Sequence, residues 1–214
     1  MTTTEDLVRV LARDVRAVPR YVVGQRIAIG VLAGGAVSLL LVGGLLGIRR
    51  DLDVAIYDFS FWVRWAYTVS LGIGAVLTTA SLARPESTSP RGLWLLGVPV
   101  LLLMGIGIAE MAHASPQDWP GLWLGRSWRT CPWMVLLLSA PIFAGLLWSF
   151  RRFAPTRPRA AGAAAGLAAG AWSAVLYCLH CPEVSAIFVL TWFTLGIGLA
   201  TAVGAVLGRA LLRW

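Results

Sequence analysis

Long apolar stretches separated by short polar connections dominate this chain of 214 residues. A helix needs roughly 20 mostly apolar residues to cross ~30 Å of hydrocarbon. Six stretches are long enough, and they lie at about residues 27–48, 61–83, 92–113, 132–150, 160–179 and 185–208. The pattern predicts an all-α integral membrane protein, a six-transmembrane-helix bundle. Neighbouring helices should run antiparallel because the connections are short.

The composition supports this class. Hydrophobic residues make up 58 % of the chain and charged residues 13 %, whereas about 25 % of an ordinary soluble domain is charged. The net charge of +8 comes from 18 basic residues, all of them arginine. These arginines flank the apolar stretches and do not cluster with stacking aromatic residues on a polar surface. We therefore expect contact with a lipid bilayer and no direct binding of nucleic acid.

The arginines are divided unequally between the two sides of the predicted bundle. Thirteen flank the spans on the side that carries both termini, and four lie on the other side. Because cytoplasmic flanks are enriched in positive charge, the count predicts that both termini are cytoplasmic. Arg64 lies a few residues inside the second span, and we interpret it as an anchor that extends to the outer headgroups beside Trp62 and Trp65.

Small residues recur at four-residue spacing in three of the spans. This spacing lets helix backbones approach closely, and it serves either packing within one chain or a dimer interface. Packing within the chain is the preferred interpretation, since such spacing arises often by chance in a chain rich in alanine and glycine. The residues are Gly30, Gly34, Gly162, Gly166, Gly170, Gly204 and Gly208.

The polar N-terminal segment, residues 1–26, precedes the membrane domain of residues 27–214. Residues 4–18 are predicted to form a short helix that Pro19 ends. Its apolar side chains fall on one face, so it is amphipathic. Three interpretations remain open: the helix rests on anionic lipid, docks into a groove on a cytoplasmic protein, or packs against the cytoplasmic ends of the bundle. The apolar residues are Leu7, Val8, Leu11, Val15 and Val18.

All the cysteines and histidines lie near the outer edge of the predicted bundle. They are His113, Cys131, Cys178, His180 and Cys181. A disulfide, with Cys131–Cys181 the preferred pair, is one interpretation. A zinc or copper(I) site formed by Cys131, His180 and Cys181 is a second, and thiol reactivity towards oxidants or heavy metals is a third. The alternative is a purely structural role, in which the cysteines pack as small apolar side chains.

Signatures of catalysis are missing from the sequence. It has no paired-carboxylate constellation, nucleophile motif or phosphate-binding loop, so we expect neither an enzyme nor a resident cofactor. Glu110 is the one acidic residue well inside a span, which makes it a functional candidate. Two other functions are alternatives: a small transporter or channel using Glu110 and Arg64, and a membrane thiol-redox protein using Cys178-x-x-Cys181 with Cys131 as a relay. Neither explains the amphipathic N-terminal segment.

Three stretches of the chain resemble one known family. The turn Leu179-His180-Cys181-Pro182-Glu183 precedes an aromatic- and leucine-rich last span. Cys131 begins the fourth span, which continues through Leu138-Ser139-Ala140-Pro141, and Asp6-Leu7 begins the N-terminal pattern that ends in Val18-Pro19. From end to end the chain resembles the negative regulator of sigma F (NrsF) family of membrane anti-sigma factors.

The resemblance implies a multi-pass protein of the bacterial inner membrane. Such a protein binds an extracytoplasmic-function sigma factor and releases it on heavy-metal or oxidative stress, and metal binding would be transient. The resemblance implies that Cys131 and Cys181 take part in sensing, whereas Cys178 matches no family position and its role stays open. His180 joins these two cysteines as a candidate, and Cys178, His113 and Glu183 are auxiliary candidates, because they lie at the same predicted outer edge. It also favours the N-terminal helix as the sigma-binding segment, through Asp6, Leu7, Leu11, Asp14, Val15 and Val18.

Overall fold

The computed structural model describes residues 4–6, 21–82, 91–150 and 157–212. Within these ranges the chain is helical and contains no β-strand. The helices from Tyr21 onward are α1 (Tyr21–Leu41), α2 (Leu52–Ala55), α3 (Phe59–Leu82), α4 (Arg91–His113), α5 (Trp119–Leu124), α6 (Cys131–Phe150), α7 (Pro158–Tyr177), α8 (Ala186–Phe188) and α9 (Thr194–Leu211). A π-helical turn extends α1 through Val42–Leu46, and a second one, Val189–Phe193, joins α8 to α9.

Five helices in the described part of the chain are long and apolar enough to cross a membrane. They are Val22–Leu46, Leu96–His113, Cys131–Phe150, Pro158–Tyr177 and Ala186–Leu211. Large apolar side chains such as Leu32 and Leu102 are exposed on the outside of the structure, where they are suited to contact lipid tails. The all-helical fold is therefore confirmed, and the five apolar helices indicate a membrane protein.

The predicted second span is the exception to the expected six. It folds as α3, whose 24 residues are long enough to cross the hydrocarbon core. Arg64 and several serine, threonine, tryptophan and tyrosine residues lower its hydropathy, so it is not among the five apolar helices. The structure thus corrects six clearly apolar spans to five plus one more polar helix of spanning length.

Helix α7 lies at the centre of the bundle. It packs against α3, α6 and α9, and 72 % of its most apolar stretch is buried, compared with 11 % in α4. Alanine and glycine make up most of its sequence. Because these side chains are small, the neighbouring helices can approach the α7 backbone from several directions.

Glycine-to-glycine contact joins α7 to α9. A Cβ atom at Gly162 would clash with the carbonyl oxygen of Gly204 and with the backbone of Gly208, and a Cβ at Gly204 would clash with Gly162 in return. Helices α1 and α6 meet in the same way at Gly30 and Gly145. The interpretation of the glycine spacing as packing within one chain is confirmed at these positions.

The N-terminal helix falls almost entirely on residues that the structure does not describe. Residues 4–6, which include Asp6, are helical. Leu7, Leu11, Asp14, Val15 and Val18 lie outside the described residues.

Candidate functional site

The segment from Cys178 to Ser185, here called the cysteine turn, connects α7 to α8. Together with Cys131 at the start of α6, it brings all three cysteines into one hydrophobic cluster that also includes Tyr177 and Phe188. The three thiols are free, and their residues have no exposed surface. The predicted grouping of the cysteines is therefore present, with the thiols packed inside the bundle instead of displayed at its rim.

Burial sets the chemistry of the Cys181 thiol. It raises the pKa above the ordinary value of a cysteine, so the thiol is neutral at neutral pH. The Cys181 Sγ lies 3.8 Å from the hydroxyl oxygen of Ser127, which precedes α6. Since the thiolate is the reactive form and the group has no exposed surface, reaction with an external oxidant or metal requires the cysteine turn to open.

Arg64 binds the cysteine turn from α3. Only 1 % of this residue is exposed. Its Nη1 donates to the backbone carbonyl of Cys181 at 3.3 Å and to the carbonyl of Glu183. The guanidinium also lies 5.8 Å from the centre of the Phe61 ring. The interpretation of Arg64 as an anchor in the headgroups is therefore wrong, because its charge faces the protein interior and satisfies carbonyls of the turn.

The Glu183 carboxylate fastens the turn to the loop between α5 and α6. Its Oε1 accepts hydrogen bonds from the Arg126 amide at 2.7 Å, the Ser127 amide at 3.2 Å and the Ser127 hydroxyl at 3.1 Å. Gly125 makes this approach possible. It has φ +56°, and a Cβ there would clash with the Glu183 carboxylate and with Phe188.

His180 and Leu179 tie the turn to the end of α1. The His180 Nδ1 lies 2.8 Å from the carbonyl oxygen of Gly47, and the Arg49 amide donates to the Leu179 carbonyl at 3.1 Å. Arg49 also pairs with Asp51 through two hydrogen bonds of 2.8 and 2.6 Å. These bonds lower the pKa of the Asp51 carboxyl to about 2.

Glu110 holds the helix that follows the turn. Its Oε2 accepts from the Ser185 hydroxyl at 3.1 Å, the Ala186 amide at 2.8 Å and the Ile187 amide at 3.4 Å. These amides belong to the first turn of α8, where N–H groups have no partner within the helix. A carboxylate from α4 thus supplies the cap that α8 lacks in its own sequence, which gives Glu110 a structural role.

The predicted metal ligands do not converge. No group of three His, Cys, Asp or Glu side chains suited to hold a metal ion occurs in the part of the chain that the structure describes. His180 is hydrogen-bonded to Gly47, away from a shared site with Cys131 and Cys181. His113 is exposed, and its Nδ1 bonds to the Ala109 carbonyl of its own helix. A three-ligand site would need this end of the bundle to rearrange.

The fold and this site define a class: a helical protein with membrane-type helices, in which a buried cluster of thiols joins the cysteine turn to the start of α6. Residues 11–214 match the family described as negative regulator of sigma F, NrsF. The chain belongs to this family, whose members are regulators and not enzymes.

Two curated relatives match the chain along its length. It is 41 % identical over 211 residues to the probable anti-sigma-F factor NrsF of Azospira oryzae, with 99 % of both chains covered. It is 39 % identical over 213 residues to the anti-sigma-F factor NrsF of Caulobacter vibrioides, again with 99 % of both chains covered. No solved structure matches the chain.

Proposed function

We propose that the protein is a membrane anti-sigma factor that holds an extracytoplasmic-function sigma factor at the cytoplasmic face of the bacterial inner membrane. Heavy-metal or oxidative stress, sensed at Cys131 and Cys181, releases the sigma factor. The observation that carries this proposal is the end-to-end match to relatives named anti-sigma-F factors. The free, clustered thiols support the sensing half.

The proposal places α3 across the membrane as a sixth span. Both termini then share the arginine-rich cytoplasmic side, and the cysteine turn faces the periplasm. Alkaline phosphatase fused after Arg50 should be active, whereas the fusion after Ser87 should be inactive, because the enzyme needs the oxidising periplasm. Equal activity of the two fusions would show that α3 does not cross.

Oxidation at the cysteine turn would join Cys131 to Cys181. The two thiols give up two protons and two electrons to a two-electron oxidant, such as a peroxide, and one S–S bond forms. A soft metal ion would instead displace the two protons and bind both thiolates. Either reaction requires the turn to open, because neither thiol has exposed surface.

Helix packing offers a route from the turn to the cytoplasmic side. Cys131 begins α6, and the cysteine turn leads through α8 into α9. Both α6 and α9 pack on α7. A bond between Cys131 and Cys181 would therefore fix the relative positions of two helices that share the central one. Regulation requires the reduced and oxidised bundles to differ in their affinity for the sigma factor.

The N-terminal helix is the proposed sigma-binding segment. Its apolar stripe would dock into a groove on the sigma factor, with Asp6 and Asp14 at the edge of the contact. The test is co-purification of the sigma factor from native membranes. Val15→Glu places a charge on the stripe and should abolish co-purification, while the control Arg13→Glu on the opposite face should retain it. Retention by Val15→Glu would exclude this segment as the contact.

The sensing residues are tested in cells by sigma-dependent transcription. Cys131→Ser and Cys181→Ser should each abolish induction by an oxidant or by cadmium. Cys178→Ser serves as the matched control, since it removes a thiol of the same cluster and should leave induction intact. Normal induction in both Cys131→Ser and Cys181→Ser would disprove the sensing role.

A further inference from the structure

A groove lies between the start of α7 and the end of α9, at the end of the bundle opposite the cysteine turn. Its volume is about 610 Å³, within the ≈ 300–1,000 Å³ typical of pockets for small molecules. Three arginines are the charged residues in its described lining: Arg157, Arg159 and Arg209. Three alanines also line it, namely Ala160, Ala163 and Ala205. Apolar methyl groups therefore lie beside three positively charged side chains.

Helix packing brings the three arginines together. A Cβ atom at Gly208 would lie 2.7 Å from the carbonyl oxygen of Pro158, so the two backbones are in contact where α7 begins and α9 ends. Arg157 and Arg159 flank Pro158 in the sequence, and Arg209 follows Gly208. The positions of the arginines are thus set by the same close approach of small residues that joins α7 to α9.

The three positive charges have no counter-charge among the described residues. The ion pair found there joins Arg49 to Asp51, beside the cysteine turn. Residues 151–167 and 200–214 contain no acidic residue in the sequence. All three arginines are exposed, so their guanidinium groups are accessible to a ligand. Because like charges held close together repel, an anion bound among them is favourable.

The position of the groove indicates what kind of anion it binds. The arginines lie at the ends of two helices that are long and apolar enough to cross a membrane, which is the level of the phospholipid headgroups. Val206, next to Ala205 on α9, is exposed, so an apolar surface suited to lipid borders the groove. Guanidinium groups bind phosphate oxygens well. A free phosphate would use the arginines alone, whereas a phospholipid also covers the alanines.

We propose that this groove binds an anionic phospholipid. Arg157, Arg159 and Arg209 hold its headgroup phosphate, and its glycerol and first acyl carbons lie against the three alanines. The lipid bridges the start of α7 and the end of α9, so it stabilises the contact between these helices at the end opposite the cysteine turn. The proposal depends neither on the sigma factor nor on which face of the membrane this end occupies.

The experiment is calorimetric titration of the full-length protein in a neutral, phosphate-free detergent solution of low salt. The probes are a short-chain phosphatidylglycerol, phosphatidylcholine with the same chains, and inorganic phosphate. Phosphatidylglycerol should bind saturably at one site, and each of the other two should bind at least about tenfold more weakly. Equal binding of the two lipids would show that charge is not recognised, and equal binding of inorganic phosphate would show a site for a free anion. Either result, or no saturable binding of phosphatidylglycerol, would overturn the proposal.

A pair of double variants tests the arginines. Arg159→Gln with Arg209→Gln removes two of the three charges and should weaken phosphatidylglycerol binding at least about tenfold. Arg126→Gln with Arg129→Gln is the matched control, because it removes the same charge from exposed positions in the loop before α6. Equal weakening by the two double variants would show that net charge, and not the groove, attracts the lipid.

A second pair of variants tests the apolar part of the groove without changing any charge. Ala205→Leu fills the space beside the arginines and should weaken phosphatidylglycerol binding several-fold. Ala210→Leu is the control, since Ala210 is exposed on the same helix and does not line the groove. Unchanged binding in Ala205→Leu would overturn the proposed contact with the alanines.

Co-purification of the sigma factor separates this proposal from the proposed function. The Arg159→Gln, Arg209→Gln double variant should lose lipid affinity whether or not the protein binds a sigma factor. If the double variant lost the sigma factor but bound phosphatidylglycerol as before, the arginines would be a contact for a protein, and the lipid site would be disproved.

Discussion

The contact between α7 and α9 and the cysteine turn hold the bundle together by different means. In the first, Gly162 and Gly204 bring two backbones together without a side chain between them. In the second, charged side chains bond to backbone groups of other elements. Arg64 donates to a carbonyl of the turn, Glu110 accepts from an amide of α8, and Glu183 accepts from an amide of the loop before α6. One region depends on shape alone and the other on polar groups.

This difference separates a scaffold from a candidate switch. Close packing of small residues has one geometry and offers no group that a metal, an oxidant or a proton can change. The cysteine turn includes two thiols and depends on a few hydrogen bonds, so a change in one group alters several contacts. A sensing region is expected where stability rests on a small number of replaceable bonds.

The largest expected effect comes from filling the glycine contact. Gly204→Leu would drive a side chain into the backbone of Gly162 and Gly166. We expect a loss of about 3 kcal/mol or more in the free energy of unfolding, or failure to fold. Thermal unfolding in detergent measures the change. Gly198→Leu is the control on the same helix, since a Cβ there meets nothing within 4 Å. An equal loss of stability in both variants would contradict the claim that the face of α9 carrying Gly204 is the one packed on α7.

A smaller loss is expected from removing the carboxylate of the cysteine turn. Glu183→Ala leaves the Arg126 amide, the Ser127 amide and the Ser127 hydroxyl without their acceptor. Stability should fall by about 2 kcal/mol, and labelling of Cys181 by a maleimide should become faster because the turn opens more often. The exposed Asp53→Asn is the control. Slow labelling in Glu183→Ala would show that the carboxylate does not hold the turn closed.

The sequence was sufficient for the helices and the gathering of the cysteines, because hydropathy and helix length place Cys131 and Cys181 at the same end. It was insufficient for the partners of Arg64 and Glu110. An arginine near the end of a span can reach the headgroups or the protein interior equally well. Only the packing of α3 against α7 determines which of the two the Arg64 side chain reaches. The bond between His180 and Gly47 joins residues 133 positions apart, and hydropathy contains no information on such a contact.

The tie to α1 should have a more modest effect. His180→Ala removes the hydrogen bond to the Gly47 carbonyl but leaves the backbone bond between Arg49 and Leu179. We expect a loss of about 1 kcal/mol in the free energy of unfolding. Replacement of the exposed His113 by alanine should cost less, and a larger loss at His113 would contradict the assignment of His180 to the turn.

The smallest effect is expected at Asp51. Its folded-state pKa of about 2 lies below the ordinary value of 3.8 for an unfolded chain, so the carboxylate stabilises the fold above pH 3.8 and loses this contribution as pH falls from 3.8 towards 2. Asp51→Asn should therefore melt slightly below the unsubstituted protein at pH 7. The difference should shrink across that acidic window. A difference independent of pH would show that the pair with Arg49 is not its source.

The most direct test of the proposed function is sigma-factor retention on native membranes before and after oxidation. Membranes carrying the unsubstituted protein or the Cys131→Ser, Cys181→Ser double variant are treated with diamide, which takes up two hydrogen atoms as two thiols join. The sigma factor left in the membrane pellet is then quantified. Release from the unsubstituted protein and retention by the double variant are predicted. Equal release from both, or no release from either, would contradict the assignment of the cysteine turn as the sensor.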